Sequence, residues 1–256
     1  MPLESSVEVR DNGSESLLAE LIRSEEAHAF WQAKKVALIA RTLKELNPRG
    51  RLADVGCFTG IAAETYRAGF DKVVGFDSRR EALDRAASRG IETRCWTGGA
   101  EPLPAKDCEF DCVVASNVIE HIFDTDAFVE DLSRILRPGG RIILTTPNLA
   151  YWISRLRLLR GKTPWAYPGP SSTIKLDVVA DVTHIRLNTA REWRNFFEQH
   201  SLTVERVEGW SLFHGIATTK ALRIAGLIDR YMTKWPDLAF GLMFVLAKGY
   251  RTPPST

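Results

Sequence analysis

Cysteine is scarce in this chain and badly spaced for a scaffold role. Cys57, Cys95, Cys108 and Cys112 are the four present in 256 residues. They form no C-x-x-C pair and have no histidine companions at zinc-ligand spacing, which excludes a zinc ribbon. Three of them fall in or beside expected strands, so they read as buried free thiols in a reducing cytoplasm. An excess of one charge is also missing, with 34 basic residues against 32 acidic. Net charge therefore gives no support to wholesale nucleic-acid binding. Long apolar runs are absent too. The longest, LAFGLMFVLA from Leu238, is too short to span a bilayer and reads as a buried strand. The N-terminus carries acids without an apolar core, so no secretory signal is expected. These absences together predict a soluble, cytoplasmic protein.

What is present is an alternation of strand and helix signals. The first 13 residues are polar and are expected to be loose, whereas 14–256 is expected to form a single domain. Within it, 14–48 reads as a helical cap, with a helical pattern from Leu17 to Leu46 that Pro48 and Gly50 end. RLADV predicts a first strand, GIAAETYRAG a helix stopped by Gly69, and KVVGFD a second strand. SRREALDRAASRG predicts a helix with a Ser78/Glu81 capping box and a left-handed stop at Gly90. IETRCW and FDCVVAS predict strands, DTDAFVEDLSRILRPGG a helix, and RIILTTP a fifth strand. After Pro147 come an amphipathic helix in NLAYWISRLRLLRG and a Pro/Gly/Ser-rich loop, so 148–188 reads as an insertion. A helix from a Thr189/Glu192 capping box, a strand LTVERVEGW, a helix over about 215–231 and a strand AFGLMFVLAK complete the pattern. Strands separated by helices predict an α/β fold with a mostly parallel sheet covered on both faces.

In such sheets, ligands bind beyond the carboxyl ends of the strands. LADVGCFTG delivers a strand end into a loop bounded by Gly56 and Gly60. Gly56 allows a sharp turn, and Gly60 allows close packing of the next segment. Asp77 ends the second strand, where a carboxylate can accept both hydroxyls of a ribose, with Ser78 beside it. The G-x-G-x-x-G of a dinucleotide site is missing. Phe58 would crowd a pyrophosphate, so the expected ligand has none.

LADVGCFTG, VVGFDSRREALDRA, GGAEPLPAKDCEFDCVVASNVIEHI and LSRILRPGGRIILTTPN follow one another at spacing that resembles class I S-adenosylmethionine-dependent methyltransferases of the UbiG-like, type 11 or type 23 kind. The resemblance covers about residues 50–148. It implies a Rossmann-like seven-stranded sheet with the last strand antiparallel, and S-adenosyl-L-methionine as cofactor. It also implies that Asp54, Gly56, Cys57 and Gly60 hold the methionine end and that Asp77 holds the ribose. Gly99 and Ala100 would lie beside the adenine, and Ser116 and Asn117 would line the methionine portion near the sulfonium. Two departures stand out: Phe58 replaces a usual glycine, and Gly99 replaces a usual acid, for which Glu101 is a candidate substitute.

Methyl transfer to a hydroxyl needs a group that removes the proton. His121, in NVIEHIFD, is the first candidate base, because imidazole ordinarily titrates near neutrality. His184, in DVTHIRLNT, is the second, with Asp181 and Arg186 as acceptor-binding neighbours. The insertion resembles a P-N-x-x-x-W-x-x-R-L…D-x-T-H-x-R pattern of biosynthetic methyltransferases, which implies that Tyr151, Trp152 and Arg155 wall the acceptor site. Ordinary packing of an amphipathic helix explains Trp152 as well. Glu120, His121 and His184 could hold a metal if they converge, but nothing in their spacing requires one and none is expected. The reading is O-methylation of a small-molecule or sugar-like acceptor in a biosynthetic pathway. N- or C-methylation and a catalytically silent binding protein are the alternatives. RNA methylation assisted by the basic helix from Arg155 to Lys162 lacks an accompanying RNA module, so no nucleic-acid partner is expected.

Overall fold

A computed structural model describes residues 25–99, 101–164, 184–211 and 220–248. The chain divides into two units, 1–33 and 34–256. In the first, the described residues open the helix α1 (Glu25–Leu46). The loose stretch expected over 1–13 lies outside the described residues.

The second unit is built on a seven-stranded sheet of order β3-β2-β1-β4-β5-β7-β6. The strands are β1 (Arg51–Val55), β2 (Lys72–Asp77), β3 (Glu92–Cys95), β4 (Phe110–Ser116), β5 (Leu136–Pro147), β6 (Leu202–Trp210) and β7 (Gly241–Lys248). β7 runs antiparallel to both of its neighbours, and the other pairs are parallel. The expected Rossmann-like sheet is thus present, reversed strand included. The helices are α2 (Arg80–Ser88), α3 (Thr125–Ile135), α4 (Trp152–Leu159), α5 (Ala190–Gln199) and α6 (Lys220–Met232).

Strand side chains alternate between two cores, as a period of two requires. Ala53, Val113 and Ala115 face one layer with Phe128 and Leu132 of α3 and Trp193 and Phe197 of α5. Leu52, Cys112 and Val114 face the other with Ile39 and Leu43 of α1 and Leu83 and Ala86 of α2. Among the described residues, both faces of the central strands are buried, and in sheets covered this way ligands bind beyond the strand ends.

Several local expectations need correction. The residues after Gly60 form two short 3-10 turns, Ala63–Thr65 and Arg67–Gly69, in place of a helix. Tyr66 lies between them, buried, with its hydroxyl 3.0 Å from an Asp54 carboxylate oxygen, and that tertiary contact outweighs local helix propensity. The Ser78/Glu81 capping box is absent, because Arg79 occupies the N-cap and its N–H already bonds Asp77. Cys95 and Cys108 are exposed, so only Cys57 and Cys112 match the expected burial. Pro138-Gly139-Gly140, at the exit of the helix, lies inside β5, where the pairing with β4 shifts between Phe110 and Cys112. The Thr189/Glu192 capping box is present in full. Of the helix expected over 215–231, the described part runs from Lys220 and ends one residue later than expected, at Met232.

Candidate active site

The carboxyl ends of β1, β2 and β4 lie side by side, because the three strands are parallel neighbours in the sheet. Leaving β1, the chain turns at Gly56 with φ +74°, and a Cβ there would stand 2.5 Å from the Val118 side chain. The N–H groups of Gly56 and Cys57 both donate to the Phe76 carbonyl, at 2.8 and 3.0 Å, which ties the loop to β2. Cys57 turns its side chain inward against Gly75. Burial raises its thiol well above the ordinary value, so the residue has only its backbone to offer a ligand. Gly60 also adopts a positive φ, at the loop's far end.

Phe58 has φ +50°, a left-handed conformation that suits glycine far better than phenylalanine. Its N–H donates to Asp77 Oδ2 at 3.0 Å, and the Arg79 guanidinium lies 4.5 Å above its ring. Asp77 Oδ1 accepts from the Arg79 backbone N–H at 3.0 Å and from Arg79 Nε at 3.4 Å. A carboxylate offers about four acceptor positions, so these three bonds leave capacity for a ligand hydroxyl. Ser78 is exposed beside it. The arrangement fits a ribose: a fixed, largely buried carboxylate at a strand end, beside a loop that stays clear of Val118 only with glycine at position 56.

Beneath the loop lies a charged cluster. Asp54 is buried, and burial pushes its carboxyl up to about 7 against the opposing hydrogen bond from Tyr66. Lys35, on α1, is only 4% exposed. Burial pulls its ammonium down to about 8, while the nearby Glu120 and Asp54 charges oppose that shift. Its Nζ donates to Asn117 Oδ1 at 2.9 Å. Asn117 has φ +56°, and its N–H donates to the Thr145 carbonyl at 3.0 Å. The Thr145 hydroxyl sits 2.9 Å from Asn117 Oδ1 and 3.2 Å from Ser116 Oγ. Lys35 was not among the residues expected from the sequence. Its signal was available, because Lys35, Ile39, Thr42 and Leu43 follow the i, i+4, i+7, i+8 spacing of one buried helix face.

On the third strand's side, Gly99 has φ +105°. Any side chain there would be strained, so this loop could not carry the usual acid without changing shape. Glu101 is exposed, and its carbonyl is already taken by Trp96 Nε1 at 2.8 Å. Ala100 lies outside the described residues. An open groove of about 1030 Å³ runs along α3, lined by Trp96, Phe128, Arg134 and His200 among others. Of the described cofactor candidates it touches only Gly99, so it lies apart from those at the ends of β1, β2 and β4.

The two histidines expected as bases are brought together. After β4 the chain makes a 3-10 turn, Ile119–His121, in which Glu120 is fully buried. The Glu120 carbonyl accepts from Ile185 N at 2.8 Å and Arg186 N at 3.1 Å, docking the distant segment alongside. The His121 and His184 rings then lie 4.9 Å apart, centroid to centroid. One ligand-type atom from each of Glu120, His121 and His184 lies within 4.8 Å of the others. Arg186 donates to the Phe123 carbonyl at 2.8 Å and stacks over its ring at 5.4 Å. Asp181 lies outside the described residues.

The expected acceptor wall has structural duties as well. Tyr151 is fully buried, and its hydroxyl donates to Asp229 Oδ1 at 2.7 Å, as does Trp152 Nε1 at 2.9 Å. The Ser211 hydroxyl bonds the same carboxylate. Arg155 donates to the carbonyls of Ala150 and Asp237, at 2.8 and 3.3 Å. These contacts clamp α4 to α6. Asn148, like Asp229 not singled out from the sequence, pins the end of β5 by donating to the carbonyls of Pro236 and Ala239, at 3.1 and 2.9 Å.

Known proteins share this fold. The type 23 methyltransferase domain family matches residues 25–207. The uncharacterized methyltransferase YcgJ of Bacillus subtilis is 25% identical over 205 residues, covering 76% of this chain and 72% of its own. A ubiquinone biosynthesis O-methyltransferase of Parvibaculum lavamentivorans is 34% identical over 104 residues, covering 38% of this chain and 40% of its own. The chain thus spans well under half of that relative's length. Among solved structures, a chain of the Haloferax volcanii complex between the Trm112 activator and a methyltransferase aligns with TM-score 0.64 at 17% identity, covering 94% of this chain and all of its own. A Thermotoga maritima S-adenosylmethionine-dependent methyltransferase aligns with TM-score 0.62 at 18% identity, over 91% and 97% of the two chains. The match across most of the chain, on a sheet of this order, makes the protein a member of the S-adenosylmethionine-dependent methyltransferase family of type 23.

Proposed function

We propose that the protein methylates an oxygen of a small-molecule or sugar-like acceptor. The observation that carries this reading is the His121–His184 pair, 4.9 Å apart at the end of β4. An imidazole there could take the proton of a hydroxyl set beyond the strand ends. The name of the ubiquinone O-methyltransferase relative supports oxygen as the methylated atom.

S-adenosylmethionine supplies an electrophilic methyl group on a sulfonium. The residues of this chain do the rest by placement. Asp77 accepts the ribose hydroxyls. Asp54, the backbone of Gly56 and Cys57, Gly60, Ser116 and Asn117 surround the methionine portion. Gly99 leaves an approach without a side chain for the adenine, with Ser78 at the rim, and Ala100, outside the described residues, is its neighbour by the resemblance alone. His121 takes the acceptor proton, and His184 is the alternative base. Trp152, Arg155 and Arg186 are the acceptor contacts of this reading, beyond their structural bonds, and Asp181, outside the described residues, joins them on the sequence pattern alone. Tyr151 acts through Asp229, holding α4 in place.

The test is a panel of hydroxylated and amine acceptors incubated with methyl-labelled S-adenosylmethionine, with the product atom identified by NMR. Labelled O–CH3 from a hydroxylated acceptor supports the reading. Label only on nitrogen or carbon contradicts it. His121→Ala should lower turnover at least tenfold with cofactor affinity kept.

A further inference from the structure

We infer that the Arg79 side chain competes with the cofactor's ribose for Asp77, and that Phe58 holds it in place to do so. This rests on the reading of Asp77 as the ribose carboxylate, and adds a residue that sets how tightly that carboxylate holds its ligand.

The acceptor positions of Asp77 are the reason. Each carboxylate oxygen offers about two, and a ribose with both hydroxyls on one carboxylate takes up about two in all. Asp77 Oδ2 accepts the Phe58 N–H at 3.0 Å, which leaves one position on that oxygen. Oδ1 accepts the Arg79 backbone N–H at 3.0 Å and Arg79 Nε at 3.4 Å, which fills it. One hydroxyl therefore finds a place at once, and the second has to displace a donor.

The three donors differ in how readily they yield. The Phe58 N–H belongs to the loop that Gly56 and Cys57 tie to the Phe76 carbonyl. The Arg79 N–H is fixed at the N-cap of α2. Arg79 Nε makes the longest of the three bonds, from a side chain 40% exposed. An exposed ion pair of that length is weak, so this donor is the one that gives way. It is nonetheless kept close. The guanidinium lies 4.5 Å from the centroid of the Phe58 ring, a cation–π contact that parks it beside the carboxylate. Phenylalanine at the left-handed position 58 thus has a duty that glycine could not perform.

S-adenosylmethionine and its demethylated product carry the same ribose. A competitor at Asp77 weakens the two alike, and so eases exchange of spent cofactor for fresh without favouring either. An effect of charge alone would separate them, because only the first carries a sulfonium, which an arginine repels.

Calorimetric titration of both compounds into the full chain tests this, with wild type, Arg79→Met, Phe58→Leu, Asp77→Ala and the Asp77→Ala/Arg79→Met double variant compared. Arg79→Met should bind both compounds about two- to fivefold more tightly, the strength of an exposed ion pair. A gain in affinity is a readout that damage to the fold does not produce. Phe58→Leu keeps the bulk and loses the ring face, so it should show part of the same gain. No gain there overturns the part given to Phe58. In the Asp77→Ala background the Arg79→Met gain should vanish, because no carboxylate is left to contest. Affinity unchanged or weakened in Arg79→Met overturns the inference. So does a gain confined to S-adenosylmethionine, or one that persists without Asp77. Asp77→Ala that binds as tightly as the wild type would instead strike the ribose reading of Asp77 itself.

Discussion

Lys35 Nζ donates to Asn117 Oδ1 at 2.9 Å, joining the first helix to the end of β4 beneath the cofactor loop. Both the Glu120 and Asp54 charges bear on this buried ammonium. Removing one member of a buried charge group leaves the others uncompensated, at a cost of about 3 kcal/mol. Lys35→Met should lose about that much stability in urea denaturation and bind S-adenosylmethionine more weakly. Unchanged stability would contradict the buried placement.

Phe58 and Arg79 form a second pair over the same loop. At φ +50°, glycine at position 58 would relieve strain that alanine would keep. Both substitutions lose the ring and its contact with Arg79. Phe58→Ala should therefore be less stable than Phe58→Gly by about 1 kcal/mol. Denaturation midpoints would show this. Equal midpoints would mean that the loop does not hold the left-handed conformation.

Asp54 should make stability depend on pH. Its carboxyl is raised from 3.8 to about 7 in the folded chain, chiefly by burial. Between pH 4 and 7 the unfolded chain releases a proton that the folded chain keeps, so ionisation favours unfolding. Stability from this group is full near pH 4, falls as pH rises to about 7, and then levels. Tyr66, Asp77 and Lys35 tune the position of the fall. Asp54→Asn should flatten the profile over that interval, and an unchanged slope would contradict the assignment.

Asp229 gathers Tyr151, Trp152 and Ser211 onto one buried carboxylate. Asp229→Ala leaves those donors unmatched and should cost about 2–3 kcal/mol. The loss should loosen α4 against α6, seen as faster amide exchange in 152–159, with S-adenosylmethionine affinity retained. Loss of cofactor binding as well would place this clamp closer to the cofactor than the account allows.

Much of the fold is legible in the sequence, because strands buried on both faces read as apolar runs and helices repeat every 3.6 residues. LTVERVEGW matches β6 residue for residue, and FDCVVAS matches β4. What escapes such reading is tertiary. Tyr66 is drawn in to Asp54, and the expected helix becomes two 3-10 turns. Asp77 captures the Arg79 N–H, so Ser78 loses its capping place. Lys35 reads as a solvated charge until its helix face is traced to Ile39 and Leu43. His121 and His184 could be named singly, but their pairing depends on a backbone seam at the Glu120 carbonyl that no spacing reveals.

The most direct measurement is calorimetric titration of the wild type and of Asp77→Ala with S-adenosylmethionine and its demethylated product, with NADH as control. The account predicts saturable binding of the first two to the wild type, none of NADH, and affinity at least tenfold weaker in Asp77→Ala. Equal affinity in the two proteins would contradict the placement of the cofactor at the ends of β1 and β2, and absence of binding to the wild type would mean that Phe58 and Gly99 close the site.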